Sequence, residues 1–190
     1  VKKILYIFLI FFVLKSLVNM TLSSFFYTSI ISGNSMNPNF FDGEKIIAYK
    51  DYYKDNVPDY GEVVLTNIET EGNEHFLKRV IALPGDKVRT FHGSVYINNK
   101  KRTLSNEISM NVYEEILPNG YTYKILNTTK TYDIEDFDDT VLPKDFIFIL
   151  GDNRRNSLDS RITGLIETSN LLHKVVDKNH MINYLKFILW

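Results

Sequence analysis

A long apolar stretch at the N-terminus constrains this chain more than any other feature of its sequence. Residues 4–14 form an unbroken apolar run behind Lys2 and Lys3, and a mostly apolar segment continues past Lys15 to Ile31. About 20 such residues are enough to cross a bilayer as a helix, and basic residues favour the cytoplasmic side of a span. The stretch predicts an uncleaved membrane anchor over residues 1–28, in preference to a cleaved signal peptide or a buried core helix.

The remainder of the chain has the composition and spacing of a β protein. Aromatic residues make up 14% of the sequence, with 12 Tyr and 13 Phe, and aromatic side chains are enriched in strands. Short apolar runs bounded by turn residues predict strands at 45–49, 62–66, 74–83 and 145–150, and a hairpin at 87–97. The fold class predicted is therefore mainly β.

One polar region interrupts this pattern. Residues 101–140 are rich in Asn, Thr, Asp and Glu and only weakly periodic, which is typical of an insertion on a core. We predict a catalytic β domain formed by residues 29–100 and 141–180, with 101–140 as an inserted non-catalytic lobe. For the tail, residues 181–190, two interpretations stay open: a short helix on the membrane surface, and the last element of the core.

Charge and cysteine content exclude several classes of function. The net charge is −1 with both signs interspersed, so no basic footprint for nucleic acid is present. The absence of cysteine excludes disulfides, thiol nucleophiles and Cys-based zinc sites. The four histidines show no metal-ligand spacing. We therefore expect no metal and no organic cofactor.

Ser35 and Lys78 are the candidates for catalysis. Ser35 follows Gly33 in a turn that presents its hydroxyl, whereas Lys78 lies in an apolar strand on one face with Phe76 and Val80. Burial lowers the pKa of a lysine, and a neutral lysine can accept the proton of a serine nucleophile. Each residue also has an ordinary interpretation, a loop serine and an exposed lysine. If the two side chains meet, the chain is a Ser-Lys hydrolase.

A third stretch, residues 151–161, follows the predicted strand at 145–150 and is dense in hydrogen-bonding side chains. Its two widely spaced carboxylates do not match a calcium loop. We expect a structural network in which Asp159 pairs with Arg161 or Arg154.

Together these stretches resemble bacterial type I signal peptidases. After the anchor, the matching motifs are Ser-Gly-x-Ser-Met-x-Pro at 32–38, Gly-Glu-Val-Val at 61–64, Lys-Arg-Val-Ile-x-Leu-Pro-Gly-Asp at 78–86 and Gly-Asp-Asn-Arg-x-x-Ser-x-Asp-Ser-Arg at 151–161. The resemblance implies an antiparallel β-sheet catalytic fold with a small lobe and one transmembrane helix. It also implies a membrane-bound serine endopeptidase that removes signal peptides from exported preproteins, with its catalytic domain outside the cytoplasmic membrane.

The resemblance also implies residue roles. Ser35 would be the nucleophile, Lys78 the general base, Ser157 the partner that orients the lysine amine, and Asp159, Arg161 and Asp152 the residues that hold the loop. The Ser35 amide would form part of the oxyanion hole, in which Gly33 occupies a position where some relatives carry a serine donor. The shallow substrate pockets would be lined by Met36, Phe40, Phe76 and Leu77.

In the family, Thr-Leu is common at the positions that Asn39 and Phe40 occupy here, and this departure predicts an altered substrate pocket.

The resemblance implies that the partners are preproteins and membrane lipids. Whether secretion machinery is also a partner stays open. Two alternatives also stay open: a processing peptidase for a single client, and a non-catalytic pilus-assembly chaperone, which would need neither Ser35 nor Lys78. A self-cleaving repressor also uses Ser and Lys, but it would carry a DNA-binding motif in place of an anchor.

Overall fold

The computed structural model describes residues 2–68, 75–92, 94–105, 107–127 and 136–176. The predicted tail at 181–190 lies outside these residues. The chain begins with helix α1 (Lys2–Phe25), and a short helix α2 (Ser160–Thr163) lies near its C-terminal end. The strands are β1 (Phe26–Ile30), β2 (Lys45–Tyr49), β3 (Val63–Asn67), β4 (His75–Ala82), β5 (Lys87–Phe91), β6 (Ser94–Ile97), β7 (Lys100–Lys101), β8 (Thr103–Leu104), β9 (Val112–Ile116), β10 (Thr122–Leu126), β11 (Phe137–Val141), β12 (Phe146–Leu150), β13 (Ile166–Glu167) and β14 (Leu171–Val175).

The main sheet has seven strands in the order β1-β2-β14-β3-β4-β12-β13, all paired antiparallel. Strand β14, the last described strand, lies between β2 and β3, so residues far apart in sequence are neighbours in this sheet. The predicted strands and the hairpin are all present within one or two residues of their expected bounds. The mainly β fold class is therefore confirmed.

The two faces of strand β4 contact different parts of the core. Leu77 packs with residues such as Val63 and Val175 on one face, whereas Val80 and Phe76 pack into another cluster on the opposite face. This is the alternation expected of a strand that is buried on both sides. Lys78 lies on the Phe76 face, with its amine 5.5 Å from the centre of the Phe76 ring.

Residues of the polar region 101–140 form strands that the sequence pattern did not predict. Strands β8, β9 and β10 make a three-stranded sheet, and β11 joins β5, β6 and β7 in a four-stranded sheet. Leu117, Tyr123 and Ile125 are buried in one cluster with Ile81 and Leu150 of the main sheet. The segment thus shares a core with the central strands, while its assignment as a separate lobe stays a prediction.

Helix α1 is apolar, and its described side chains are exposed except for the half-buried Leu22. Its segment Tyr6–Phe25 has a mean hydropathy of 1.8 and contains no buried residue, and it is long and apolar enough to cross a membrane. The helix ends at Phe25, and β1 begins at the next residue. Residues 26–28, predicted as part of the anchor, belong instead to β1 and pair with β2, where Phe26 lies opposite Tyr49.

Candidate active site

The structure brings Ser35 and Lys78 together although 43 residues separate them. Lys78 Nζ lies 3.1 Å from Ser35 Oγ and donates a second hydrogen bond of 2.9 Å to the Leu77 carbonyl oxygen. A general base must lie within about 2.6–3.2 Å of the group whose proton it takes. The pair therefore has the separation that serine activation requires.

Lys78 is almost completely buried, with 2% of its surface exposed. Burial lowers the pKa of its amine from 10.5 to about 8, although the negative charges of Asp159 and Asp152 partly oppose this effect. An ammonium group loses its hydration in such an environment, whereas a neutral amine loses less. A substantial fraction of Lys78 is consequently neutral at weakly alkaline pH and able to accept a proton.

A compact turn presents Ser35 to the lysine. The Asn37 amide donates to the Asn34 carbonyl at 3.2 Å, and the Phe40 amide donates to the Met36 carbonyl at 3.0 Å. Within the part of the chain that the structure describes, the Ser35 amide N–H donates to no protein acceptor. That amide is therefore free to donate to a substrate oxygen.

Gly33 does not supply a second oxyanion donor in this geometry. Its backbone has a φ of +93°, a conformation that favours glycine. Its N–H donates to Asp42 Oδ1 at 2.7 Å, so the amide is already occupied. The interaction holds the entrance of the Ser35 turn.

Asp159 and Arg161 form the predicted ion pair. The Arg161 guanidinium donates to both carboxylate oxygens of Asp159, at 2.8 and 2.7 Å, and the Gly151 amide donates to the same carboxylate at 3.0 Å. Burial by itself raises the pKa of Asp159, but the hydrogen bonds and charge of Arg161 outweigh it and hold that pKa below the usual value. The carboxylate also caps helix α2, so it holds the loop before the helix.

Ser157 lies beside the nucleophile turn but does not make the predicted contact with Lys78. Among the described residues its buried hydroxyl has no hydrogen-bond partner of ordinary geometry, although its proximity to Asp159 contributes slightly to the lowered pKa of that carboxyl. A Cβ atom on Gly151 would overlap with the Ser157 side chain and lie 2.5 Å from the Ser35 carbonyl oxygen. Glycine at 151 is what allows these two segments to approach. The role of Ser157 stays a prediction.

Asp152 is joined to Arg79, a residue that sequence reasoning did not single out. The Arg79 guanidinium donates to both oxygens of Asp152, at 2.8 and 2.7 Å, and to the Gly61 carbonyl at 2.8 Å. Both side chains are almost fully buried. Although burial favours the neutral form, the adjacent Asp152 carboxylate raises the pKa of Arg79, which stays charged. The signal in the sequence was the arginine directly after Lys78 in an apolar strand.

A second buried network was also missed. Arg154 pairs with Glu115 of β9, and both contact the Tyr123 hydroxyl. Arg154 Nε also donates to the Gly151 carbonyl at 3.2 Å. Nothing in the local pattern of residues 101–140 indicates that Glu115 is buried beside the 151–161 loop.

The four predicted pocket residues lie close to the dyad in sequence but in two core clusters. Met36, Phe40 and Leu77 are buried in one cluster, and Phe76 is partly buried against the other. A cavity of about 800 Å³ lies on the Arg79 side of the sheet and includes Phe40 in its lining, but not Ser35 or Lys78. The assignment of these four residues to substrate pockets stays a prediction.

Strand β4 has an unpaired edge next to the dyad. Residues 75–77 pair with β3 on one side. On the other side β12 contacts β4 only at Arg79, Val80 and Ala82. In the described parts of the chain, no strand pairs with this edge on the N-terminal side of Arg79. An exposed edge of this kind can pair with an extended peptide.

Comparisons with known proteins show which proteins this chain is similar to. Over 137 residues the chain is 35% identical to the signal peptidase I of Bacillus amyloliquefaciens, which covers 70% of this chain and 63% of that protein. It is 33% identical over 150 residues to the signal peptidase IB of Staphylococcus aureus, covering 76% of this chain and 73% of that protein. The first of these matches thus spans less than two thirds of the relative's length.

A solved structure of a signal peptidase I from Enterococcus faecalis V583 covers 64% of this chain and 98% of its own, with 20% identity and a TM-score of 0.42. The family model described as "Signal peptidase, peptidase S26" matches residues 2–178. Since that match covers nearly the whole chain, and the two relatives are 35% and 33% identical to it over the aligned residues, the chain belongs to the signal peptidase family S26.

Proposed function

We propose that this protein is a membrane-bound serine endopeptidase that removes signal peptides from exported preproteins with a Ser35–Lys78 dyad. The observation that carries the proposal is the 3.1 Å separation between Ser35 Oγ and a buried Lys78 amine whose pKa is lowered to about 8. Membership of the signal peptidase family supplies the substrate class.

In the proposed reaction Ser35 Oγ attacks the scissile carbonyl carbon while Lys78 Nζ takes the hydroxyl proton. The tetrahedral oxyanion accepts a hydrogen bond from the free Ser35 amide. Collapse breaks the C–N bond, and the Lys78 ammonium returns the proton to the departing amine of the mature protein. Water, deprotonated by the same lysine, then hydrolyses the acyl-enzyme and releases the signal peptide as a carboxylate.

The free edge of β4 supports a mode of substrate binding. A preprotein segment added as an extended strand beside residues 75–77 would run toward Lys78, the residue before Arg79, at which the pairing with β12 begins. Main-chain hydrogen bonds along that edge would provide affinity for any sequence. Alternate side chains of the bound strand would face the apolar residues near the dyad. If the predicted pockets there are shallow, they would admit only small side chains.

Helix α1 supports the membrane part of the proposal. Its 24 residues extend about 36 Å at 1.5 Å per residue, enough to cross a hydrocarbon core of about 30 Å. Lys2 and Lys3 would stay on the cytoplasmic side, which places the β domain outside. Lys15 would reach an interface or a partner through its long side chain.

The test is cleavage of a preprotein with an Ala-x-Ala site by the detergent-solubilised protein. Wild type should cleave it, and Ser35→Ala and Lys78→Ala should each lower kcat/KM by at least ~10³-fold, since the nucleophile and base act as a unit. The wild-type rate should rise with pH through about 8, as Lys78 loses its proton. The control is Ser169→Ala, which removes an exposed hydroxyl that donates to Glu167.

Cleavage that survives both substitutions would refute the dyad. If wild type cleaves one preprotein and no other, the processing peptidase for a single client is the better description. A wild type that cleaves none, pilin-type substrates included, would favour the assembly chaperone.

A further inference from the structure

The Asn39 side chain joins three segments of the molecule that are distant in sequence. Its Nδ2 donates to the Lys124 carbonyl oxygen in β10 at 2.6 Å and to Asp152 Oδ2 in the loop after β12 at 2.7 Å. Both bonds are short, and both come from one NH₂ group. An asparagine supplies two N–H donors from that group, whereas a threonine has one hydroxyl donor and an aspartate has none.

The Asp152 partner connects Asn39 to the strand that carries the proposed base. The Asp152 oxygen that accepts from Asn39 also accepts from Arg79 Nη2 at 2.7 Å. Arg79 follows Lys78 in β4, so its side chain points to the opposite face of that strand. Asn39 is therefore tied through one buried carboxylate to the backbone that bears Lys78.

Asn39 also belongs to the same turn as Ser35. Its own amide donates to the Met36 carbonyl at 3.1 Å, and the Asn37 amide donates to the Asn34 carbonyl, so the turn is cross-linked internally. On the other side of the turn, the Asn153 amide donates to the Ser35 carbonyl at 3.0 Å. The turn is thus held at two points, Ser35 and Asn39, by the loop that contains Asp152 and Asn153.

We infer that Asn39 is a positioning residue that holds Ser35 at hydrogen-bond distance from Lys78 by bridging Asp152 and the Lys124 carbonyl. This rests on the proposed Ser-Lys function. Without the bridge, the turn loses the two hydrogen bonds that join position 39 to Asp152 and β10. We expect the turn to shift as a result, which lengthens the 3.1 Å separation between Oγ and Nζ. The Asn39 side-chain amide donates to Lys124 and Asp152 and not to the Ser35 hydroxyl or the Lys78 amine, so we expect it to act on the turnover rate and not on substrate affinity.

The contacts of Asn39 differ from those expected of a residue in a substrate pocket. Asn39 was expected to alter a substrate pocket, yet its amide is engaged with Asp152 and Lys124 on the Arg79 side of the sheet. That side also holds the cavity of about 800 Å³, in whose lining Asn39, Arg79 and Lys124 all take part. Loss of the amide would therefore leave Asp152 open to water from that cavity.

The experiment compares kcat and KM for Asn39→Thr, Asn39→Asp and the control Asn98→Asp. The control removes an amide-to-carboxylate hydrogen bond of the same length, 2.7 Å, from Asn98 to Asp86 in a turn outside the site. Aspartate tolerates the positive φ of 51° at that position. Both Asp variants bring two carboxylates together, so they share any general loss of stability.

We expect Asn39→Asp to lower kcat by ~10²-fold and Asn39→Thr by ~10-fold with KM within twofold, the order of effect that a misplacement of about 1 Å produces. Asn98→Asp should lower the melting temperature but leave kcat within twofold. If Asn39→Thr retains the wild-type kcat, or if kcat falls equally in Asn39→Asp and Asn98→Asp, the inference is wrong.

A readout that needs no substrate separates this inference from the proposed function. If the wild-type protein cleaves no preprotein, the pKa of the Lys78 amine is measured by NMR titration of its Cε methylene in wild type and Asn39→Thr. A turn that moves away from Lys78 admits water and should raise that pKa in the variant. An unchanged pKa would overturn the positioning role.

Discussion

At the scale of the residue, Lys78 shows a conflict between stability and reactivity. The structure buries an amine in an apolar strand, where the neighbouring Ser35 hydroxyl and Leu77 carbonyl are its hydrogen-bond partners. The gap between an ordinary lysine pKa of 10.5 and a value of about 8 corresponds to roughly 3 kcal/mol of differential stability. The environment that makes Lys78 a base thus opposes folding when the amine is charged.

Lys78→Met should therefore stabilise the protein while abolishing the proposed activity. The unfolded wild-type chain binds more protons than the folded one between pH 8 and 10.5, so the penalty is fully present below pH 8 and disappears as the pH rises through 10.5. We expect urea unfolding at pH 7 to give a gain of up to about 3 kcal/mol, shrinking toward zero near pH 11.

The matched control is Lys144→Met, which replaces an exposed lysine in a turn before β12. Its unfolding free energy should change by less than about 0.5 kcal/mol at either pH. A Lys78→Met variant that is less stable than wild type at pH 7 would contradict the burial penalty described above.

At the scale of the element, the junction between α1 and β1 has no linker. The helix ends at Phe25, and all five residues of β1 pair with β2 from Phe26 to Ile30. Tyr27 packs against the core cluster that contains Ile31, Ile46 and Ala48. The strand after the apolar helix is consequently part of the sheet, and the first described core residue, Ile31, follows it directly.

Two truncations should distinguish the helix from the strand. A chain that begins at Phe26 should fold without detergent, because no residue of Tyr6–Phe25 is buried against the rest of the molecule. A chain that begins at Ser32 lacks β1 and Ile31, and we expect it to lose at least ~3 kcal/mol through exposed apolar surface. Thermal unfolding followed by circular dichroism measures both. Equal melting temperatures would show that β1 is dispensable.

At the scale of the whole molecule, two buried ion pairs connect distant parts of the chain to the same loop. Arg79 and Asp152 join β4 to the start of the loop, and Arg154 and Glu115 join that loop to β9. Removing one partner of a buried pair leaves an uncompensated charge, which typically costs 3–5 kcal/mol. Replacing both by apolar residues avoids that penalty.

The pair between Glu115 and Arg154 therefore predicts strong coupling in a double-mutant cycle. Glu115→Met and Arg154→Met should each lower the unfolding free energy by about 3–5 kcal/mol, and the double variant should be more stable than either single one. Denaturant unfolding of the four proteins measures this. Free energies that simply add would mean that the region 101–140 is not energetically joined to the 151–161 loop through this pair.

Local patterns were sufficient for the apolar helix, for strands β2 to β6 and β12, and for the two candidate residues of the proposed dyad. The alternation in residues 76–80 placed Lys78 on a buried face, and the turn residues around Ser35 indicated a presented hydroxyl. Arg79 and Glu115 were not predicted as site residues, and Asn39 was expected only to alter a substrate pocket. Their hydrogen-bond partners lie 73, 39 and 113 residues away, and no periodicity reports which distant segment meets a given side chain.

By itself, the sequence determined the apolar N-terminal helix, the order of the principal strands and the family motifs, because hydrophobic periodicity and turn chemistry act over a few residues. Only the tertiary structure decided that β1 follows the helix at once, that strands of the region 101–140 share a core with β4 and β12, and that Ser35 lies 3.1 Å from Lys78. The reason is physical. Burial and hydrogen-bond satisfaction are properties of the packed molecule, and they set both the lowered pKa of Lys78 and the bridge made by Asn39.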